Sequence, residues 1–277
     1  MNQDPVGKKN ILKEYIADFS RCFNSLGIRM DESLYVTGNI SRLGRVRLPK
    51  EKKLEGLHTS LIKIIGDEGS IFSPAASMNL CNTDIPFDTK KTPSHEMGPL
   101  AEYFRLLPNA KRSLHPFWSI AGSGKNAHLL NQVSRHAYGL GSPWTYLLNL
   151  NTRQVNFGLH PSKAVTLIHH IETLVGVPYR YNKEFYHPII SEDKVKNENF
   201  YLSVMYMDSD IQKRIKLNEH FFEELELKGL LSEAQHESGL RMWSFLMRDF
   251  YDIVIPFFME DIYTYLERPP TKRPYSV

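Results

Sequence analysis

The feature that most constrains this chain is an alternation of short apolar runs with longer segments of helical period. SLYVTG at 33–38, GSIFSPAAS at 69–77 and RQVNFGL at 153–159 have strand length and are bounded by glycine, proline and polar residues. Around them, apolar residues recur at three- and four-residue spacing over 8–26, 54–65, 98–107, 123–134 and 162–175, where helices are expected. The first of these carries Ile11, Leu12, Tyr15, Ile16, Phe19 and Phe23 and stops at Gly27; the last runs to Gly176. Strands and helices alternating at this interval imply an α/β chain with a mixed, mainly parallel central sheet flanked by helices. From about 181 the pattern changes to a strand at 201–207 and two aromatic-rich amphipathic stretches at 217–231 and 240–266. The expected division is 1–180 as the α/β core and 181–277 as an additional C-terminal α+β portion, together one compact domain.

A length of 277 residues is enough to bury such a core. No run of about 18 apolar residues occurs, so no membrane-spanning helix is expected. The start, MNQDPVGKKNILKEY, has no apolar stretch after its charges, so a secretory signal is not expected either. Cys22 and Cys81 are the only cysteines, which fits free thiols in a reducing, cytoplasmic setting. The formal charge of +3 is too small to demand nucleic acid as a partner. A basic stretch does occur at Arg42, Arg45, Arg47, Lys50, Lys52 and Lys53, but no aromatics interleave it to stack on bases. It reads either as a solvated loop or as a phosphate-facing one.

The most informative segment for chemistry is TLIHHIE, from Thr166 to Glu172. Residues three apart share a helix face, so His169 and Glu172 can touch. A histidine with a carboxylate behind it is what a general base requires, because the carboxylate sets the tautomer and stabilises the imidazolium. His170 is turned about 100° away and cannot serve the same site equally. Spacing alone favours the plainer reading of a helix with two surface or core histidines. A metal site is not expected, because no second HxxxH or cysteine pair completes a shell. A second cluster, RSLHPFWS from Arg112 to Ser119, could grip a phosphate or thioester arm, or could merely pack Phe117 and Trp118. No GxGxxG or Walker-type loop appears.

Taken in order, these stretches resemble the aminoglycoside 3-N-acetyltransferases over residues 34–180. The series begins with VTGNISRLG, Val36 to Gly44, where that family has VHSSLSxLG, and continues through Phe87-Asp88 and Thr92-Pro93-Ser94. Gly98, Leu100, Glu102, Phe104, Arg105 and Pro108 follow at family spacing, then Arg112, Ser113, His115, Pro116 and Ser119. Ala121, Gly124, Ala127 and Ser142-Pro143 lead to Gly158 and to Thr166, His169 and Glu172. Thr37, Gly38 and Asn39 depart from the family's His-Ser-Ser and remove two hydroxyls.

The resemblance implies direct transfer from an acyl-CoA, acetyl or longer, to the amine of an amino sugar, with no acyl-enzyme and no metal. His169 would be the base, Glu172 its support, and Thr166 a helper at the thioester oxygen. Coenzyme A contacts would fall on Gly38, Asn39, Ile40, Ser41 and Arg42 and on Arg112, Ser113, His115 and Ser119. Asp84, Asp88 and Glu102 would attract a cationic acceptor, to whose pocket the chain beyond 181 would contribute. The acceptor is expected to be a nucleotide-linked amino sugar, with an aminoglycoside antibiotic as the alternative. Arg153, Lys163, Arg180, Lys183, Tyr179 and Tyr181 are the basic and aromatic residues that a diphosphate and base would call for. A catalytically silent coenzyme A-binding protein and a metal-dependent hydrolase using His169, His170 and Glu172 stand as competing readings. A monomer and a homodimer are both open.

Overall fold

The computed structural model describes residues 5–208, 211 and 218–271; residue 217 of the 217–231 stretch lies outside the described residues. In chain order the elements are α1 (Pro5–Ser25), β1 (Ser33–Gly38), α2 (Lys50–Ile65), β2 (Ser70–Pro74), α3 (Gly98–Arg105), β3 (Lys111–Arg112) and β4 (Ile120–Gly124). They continue with α4 (Pro143–Asn149), β5 (Arg153–Phe157), α5 (Leu167–Val175), β6 (Arg180–Ser191), β7 (Lys194–Met205), α6 (Glu219–Leu227), β8 (Ser232–Gln235), β9 (Arg241–Leu246) and α7 (Met247–Glu260).

The larger sheet has the order β3-β4-β2-β1-β5-β9-β8, and β6 and β7 form a separate long hairpin. The α/β class and the helix-flanked mixed sheet are those the sequence implied. Within the larger sheet, however, parallel pairing is confined to β2, β1 and β5; the strands on either side of them pair antiparallel. Connection length is the reason. β1 reaches β2 through all of α2, long enough for a crossover, whereas β8 and β9 are joined only by residues 236–240 and must fold back as a hairpin.

Side-chain alternation along β1 divides the interior into two cores. Leu34 and Val36 pack with Phe19, Phe23, Leu57 and Leu61 of α1 and α2. Tyr35 faces the other way, into a core with Trp144 of α4, Ile168 and Ile171 of α5, and Phe250 of α7. Burial on both faces is what a central parallel strand requires. The chain beyond 181 takes part in this layering, because β9 pairs with β5 and Phe245 joins the second core.

One expected helix is absent. Residues 123–134 begin inside β4 and continue as a 3-10 turn over Lys125–Asn131. The apolar spacing there is real, but a side chain at Gly122 would collide with the Phe72 ring at 2.4 Å, and Gly124 has φ +98°. Both glycines serve strand β4, held close against β2, rather than a helix start. Cys22 and Cys81 are unbridged.

Candidate active site

The centre of the site is α5. Its helix starts five residues later than the periodicity suggested, because Pro161–Lys163 form a 3-10 turn instead. From β5, the side-chain amides of Gln154 and Asn156 donate to the Ala164 carbonyl at 3.1 and 3.4 Å, which fixes where the chain enters the helix. Thr166 occupies the position before the first helical residue without using its hydroxyl as a cap. That hydroxyl is instead within hydrogen-bonding reach of the Tyr35 hydroxyl. Leu167, Ile168 and Ile171 are buried, and Gly176, left-handed at φ +71°, ends the helix.

This anchoring places His169 and Glu172 on one face, with Nδ1 and Oε2 2.7 Å apart. The Glu172 side chain is fully buried, while the His169 ring keeps 26% of its surface exposed. Glu172 has two further partners just beyond the helix: the Tyr179 hydroxyl donates to Oε1 at 2.9 Å, and Arg180 Nε lies 2.8 Å from Oε2. Burial alone would push the Glu172 carboxyl up. The hydrogen bond and charge of His169, the charge of Arg180 and the Tyr179 hydroxyl outweigh it and hold the group below its ordinary value. An ionised Glu172 is an acceptor only, so Nδ1 carries the hydrogen of the His169–Glu172 bond and Nε2 is left with its lone pair. Burial lowers the proton affinity of His169, the Glu172 bond raises it and the Arg180 charge lowers it; the net shift is downward. Tyr138 and Tyr265 approach the ring edge-on at centroid distances of 5.7 and 6.3 Å. The pair therefore has the parts of a general base: an oriented, mostly unprotonated imidazole with a buried anion behind it.

His170 does not join them. Its Nδ1 accepts from the Gly139 amide at 3.1 Å, and burial pushes its pKa down to about 4. The metal reading, which needed both histidines in one site, loses this ligand to a backbone contact.

The loop at 38–42 lies at the carboxyl end of β1, where β2 and β5 flank it on opposite sides. Gly38, Asn39, Ile40 and Ser41, with Gly44, Lys50, Lys53 and Gly98, line a cavity of about 540 Å³. Backbone contact shapes its wall. A side chain at Gly38 would fall 2.1 Å from the Phe157 carbonyl oxygen, and one at Gly158 would fall 2.0 Å from that of Asn39. Arg42 is exposed on the same loop, and the Asn39 side chain accepts from the Ser41 amide at 2.8 Å.

The Arg112–Ser119 cluster is buried and engaged inside the chain. The Arg112 guanidinium donates to Ser119 Oγ, Ser77 Oγ and the carbonyls of Thr92 and Ala75. Ser113 Oγ accepts from the Ile120 amide. His115 accepts from the Trp118 amide at Nδ1 and meets the Tyr201 carbonyl at Nε2. None of these side chains lines the cavity at Gly38; Arg112 borders a different one, of about 590 Å³. What they do in this structure is hold the segments around 75–77, 92 and 119 together.

The acidic trio is also committed or distant. Glu102 accepts from Arg105 and from Ser94; burial opposes its ionisation, but these donors bring its pKa to about 2. Asp88 accepts from the Lys90 and Lys91 amides in a turn, and Asp84 is exposed. No hydrogen bond or ion pair among the described residues joins any of the three to His169. The sequence points to Tyr179 and Arg180 only as groups for a nucleotide-linked sugar; here both are spent on Glu172, and Tyr138 and Tyr265 carry no sequence signal for this site.

The sequence profile of the aminoglycoside 3-N-acetyltransferases matches residues 36–258. The aminoglycoside N(3)-acetyltransferase III of Acinetobacter baumannii is 24% identical over 177 residues, 57% of this chain and 60% of the relative. Its counterpart from Pseudomonas aeruginosa is 25% identical over 186 residues, 62% of this chain and 68% of the relative. The first of these alignments thus spans about 60% of the relative's own length. Among solved structures, aminoglycoside acetyltransferase AAC(3)-Xa superposes with a TM-score of 0.76 at 18% identity, covering 96% of this chain and all of that one. AAC-IIIb in a binary complex with CoASH superposes at 0.74 and 18% identity, covering 88% and 96%. These identities speak for the fold alone; the profile match over most of the chain shows that this protein belongs to the aminoglycoside 3-N-acetyltransferase family.

Proposed function

We propose that this protein is an acyl-CoA-dependent N-acyltransferase that acetylates an amine of an aminoglycoside-like amino sugar. The observation that carries the reading is the His169–Glu172 pair at 2.7 Å, with its carboxylate buried and its imidazole partly exposed. Unperturbed amines are mostly protonated at neutral pH, so transfer to one needs a base of near-neutral proton affinity. His169 Nε2 accepts the proton as the amine nitrogen forms its bond to the acyl carbon; the carbon–sulfur bond breaks, and the thiolate is released to take up a proton. Glu172 stabilises the imidazolium across Nδ1. Thr166, one turn before His169, has a hydroxyl not consumed by capping and can assist at the acyl oxygen.

The cavity at Gly38–Gly44 fits coenzyme A, which supplies the activated acyl group. Its wall is backbone held close by Gly38 and Gly158, and Lys50 and Lys53 on its rim suit phosphate. The family favours an aminoglycoside over the nucleotide-linked sugar. Two of the cations that a sugar diphosphate would call for are already paired, Arg153 with Glu32 and Arg180 with Glu172, and Lys183 lies over the Phe185 ring.

Thiol release from acetyl-CoA with a panel of aminoglycosides and uridine-diphosphate amino sugars tests the reading. An aminoglycoside is expected to be the better acceptor. His169→Ala should lose at least about 100-fold in kcat while binding acetyl-CoA normally by calorimetry. Near-normal turnover in that variant would overturn the assignment of the base, and no heat on titrating acetyl-CoA into the parent protein would favour the silent reading.

A further inference from the structure

We infer that Arg180 is a positioning residue for this reaction: its guanidinium grips the Glu172 carboxylate beside His169 and keeps the imidazole a weak, readily emptied proton acceptor. The inference rests on the reading of His169 as the base. Arg180 opens β6 directly after Tyr179, so residues 179 and 180 together bracket Glu172 from the chain that follows α5. Its Nε lies 2.8 Å from Oε2, the same oxygen that faces His169 Nδ1. Its Nη2 stands 2.9 Å from that Nδ1, and its Nη1 donates to the Ser203 carbonyl on β7 at 3.3 Å. Only 10% of the side chain is exposed, so the charge is held in place with little water to screen it.

Nδ1 cannot both donate to Glu172 and accept from Arg180. The shorter contact, to the ionised carboxylate, decides, and it leaves two donors facing each other at Nδ1 and Nη2. That opposition is tolerable beside a neutral ring and costly beside an imidazolium. Arg180 thus acts on His169 in two ways with one sign: it repels the protonated ring directly and draws off part of the charge of Glu172. Glu172 on α5 is the group that favours protonation. Around the ring stand Tyr138 from the segment before α4, Tyr265 from the chain after α7 and Arg180 from the start of β6, while Tyr179 reaches Glu172 rather than the ring. Arg180 is the positive charge among these contacts.

Two measurements test the inference independently of each other. In the folded parent protein, the His169 imidazole followed by NMR should titrate below the ordinary histidine value; titration at or above that value would overturn the inference without any variant or assay. In Arg180→Gln that titration, and with it the acid limb of kcat/KM, should move up by about one pH unit or more, while Arg180→Lys keeps it near the parent position. A folded Arg180→Gln with lowered kcat but an unmoved His169 titration would leave Arg180 a purely structural clamp and overturn the inference. If instead the NMR shift appears while His169→Ala still turns over normally, the proposed catalytic role of His169 fails and the electrostatic role of Arg180 stands.

Discussion

On α5, successive residues point about 100° apart, and that rotation separates two adjacent histidines with different partners. His169 meets a buried carboxylate, an arginine and two tyrosine edges, while His170 accepts a hydrogen bond from the Gly139 amide. His170→Ala should therefore retain turnover within a few-fold of the parent and lose about 1–3 kcal/mol of stability, because it leaves the Gly139 amide without its acceptor. Thermal unfolding and thiol-release assays on the same preparation check both halves. Loss of turnover on the scale expected for His169→Ala would show that the two histidines work together. The His169–Glu172 contact was legible in the sequence because it is local, an i,i+3 pair on one helix. Tyr179 and Arg180 lie beyond the stop at Gly176, and nothing in a linear string says that the chain turns back there onto the carboxylate.

At the scale of elements, the loop after β1 and the turn after β5 are held together by glycines. Gly158 has φ +65°, and a side chain there would meet the Asn39 carbonyl oxygen at 2.0 Å. Gly158→Ala should cost about 1–3 kcal/mol through the strained backbone and should weaken acetyl-CoA binding by displacing the 38–44 loop. Gly229→Ala is the control, since its backbone is also left-handed at φ +68° but no atom lies within 4 Å of the added carbon and it does not line the cavity. Calorimetry with acetyl-CoA on the two variants should separate them; equal affinity in both would show that the loop does not depend on that contact. The sequence marked Gly158 through its place in the motif series, but its reason is non-local: β1 and β5 pair in parallel, with Gly38 opposite Phe157. Residues 123–134 show the converse case. Their apolar spacing suits a helix, yet pairing of β4 with β2 claims Ile120–Gly124 as strand.

For the whole molecule, histidine burial sets the response to acid. Burial pushes His115 and His170 down to about 4, and it also lowers His58, His160, His187 and His236. A histidine whose folded value is depressed contributes stability that is full above its unfolded value, about 6.5, and is lost as pH falls through the folded value. His115 and His170 each contribute on the order of 3 kcal/mol by this linkage. The unfolding midpoint followed by circular dichroism should accordingly fall steadily from pH 7 to pH 4.5. A midpoint that stays level over that window would contradict the burial of these rings.

Much of the molecule was settled by local chemistry in the sequence: the strand at 33–38, the helix that presents His169 with Glu172, and an ordered motif series that names the family. What required the tertiary structure is everything that depends on long-range pairing. It confined the parallel ladder to three strands and brought β9, from far along the chain, beside β5. It turned Arg112, Ser113, His115 and Ser119 inward and paired Arg153 with Glu32. It also set Arg180 against the His169–Glu172 pair. The physical reason is that helical period and turn residues act over a few positions. A buried charge, by contrast, is satisfied by whichever partners the folded chain brings within hydrogen-bonding distance, and sequence spacing does not encode that distance.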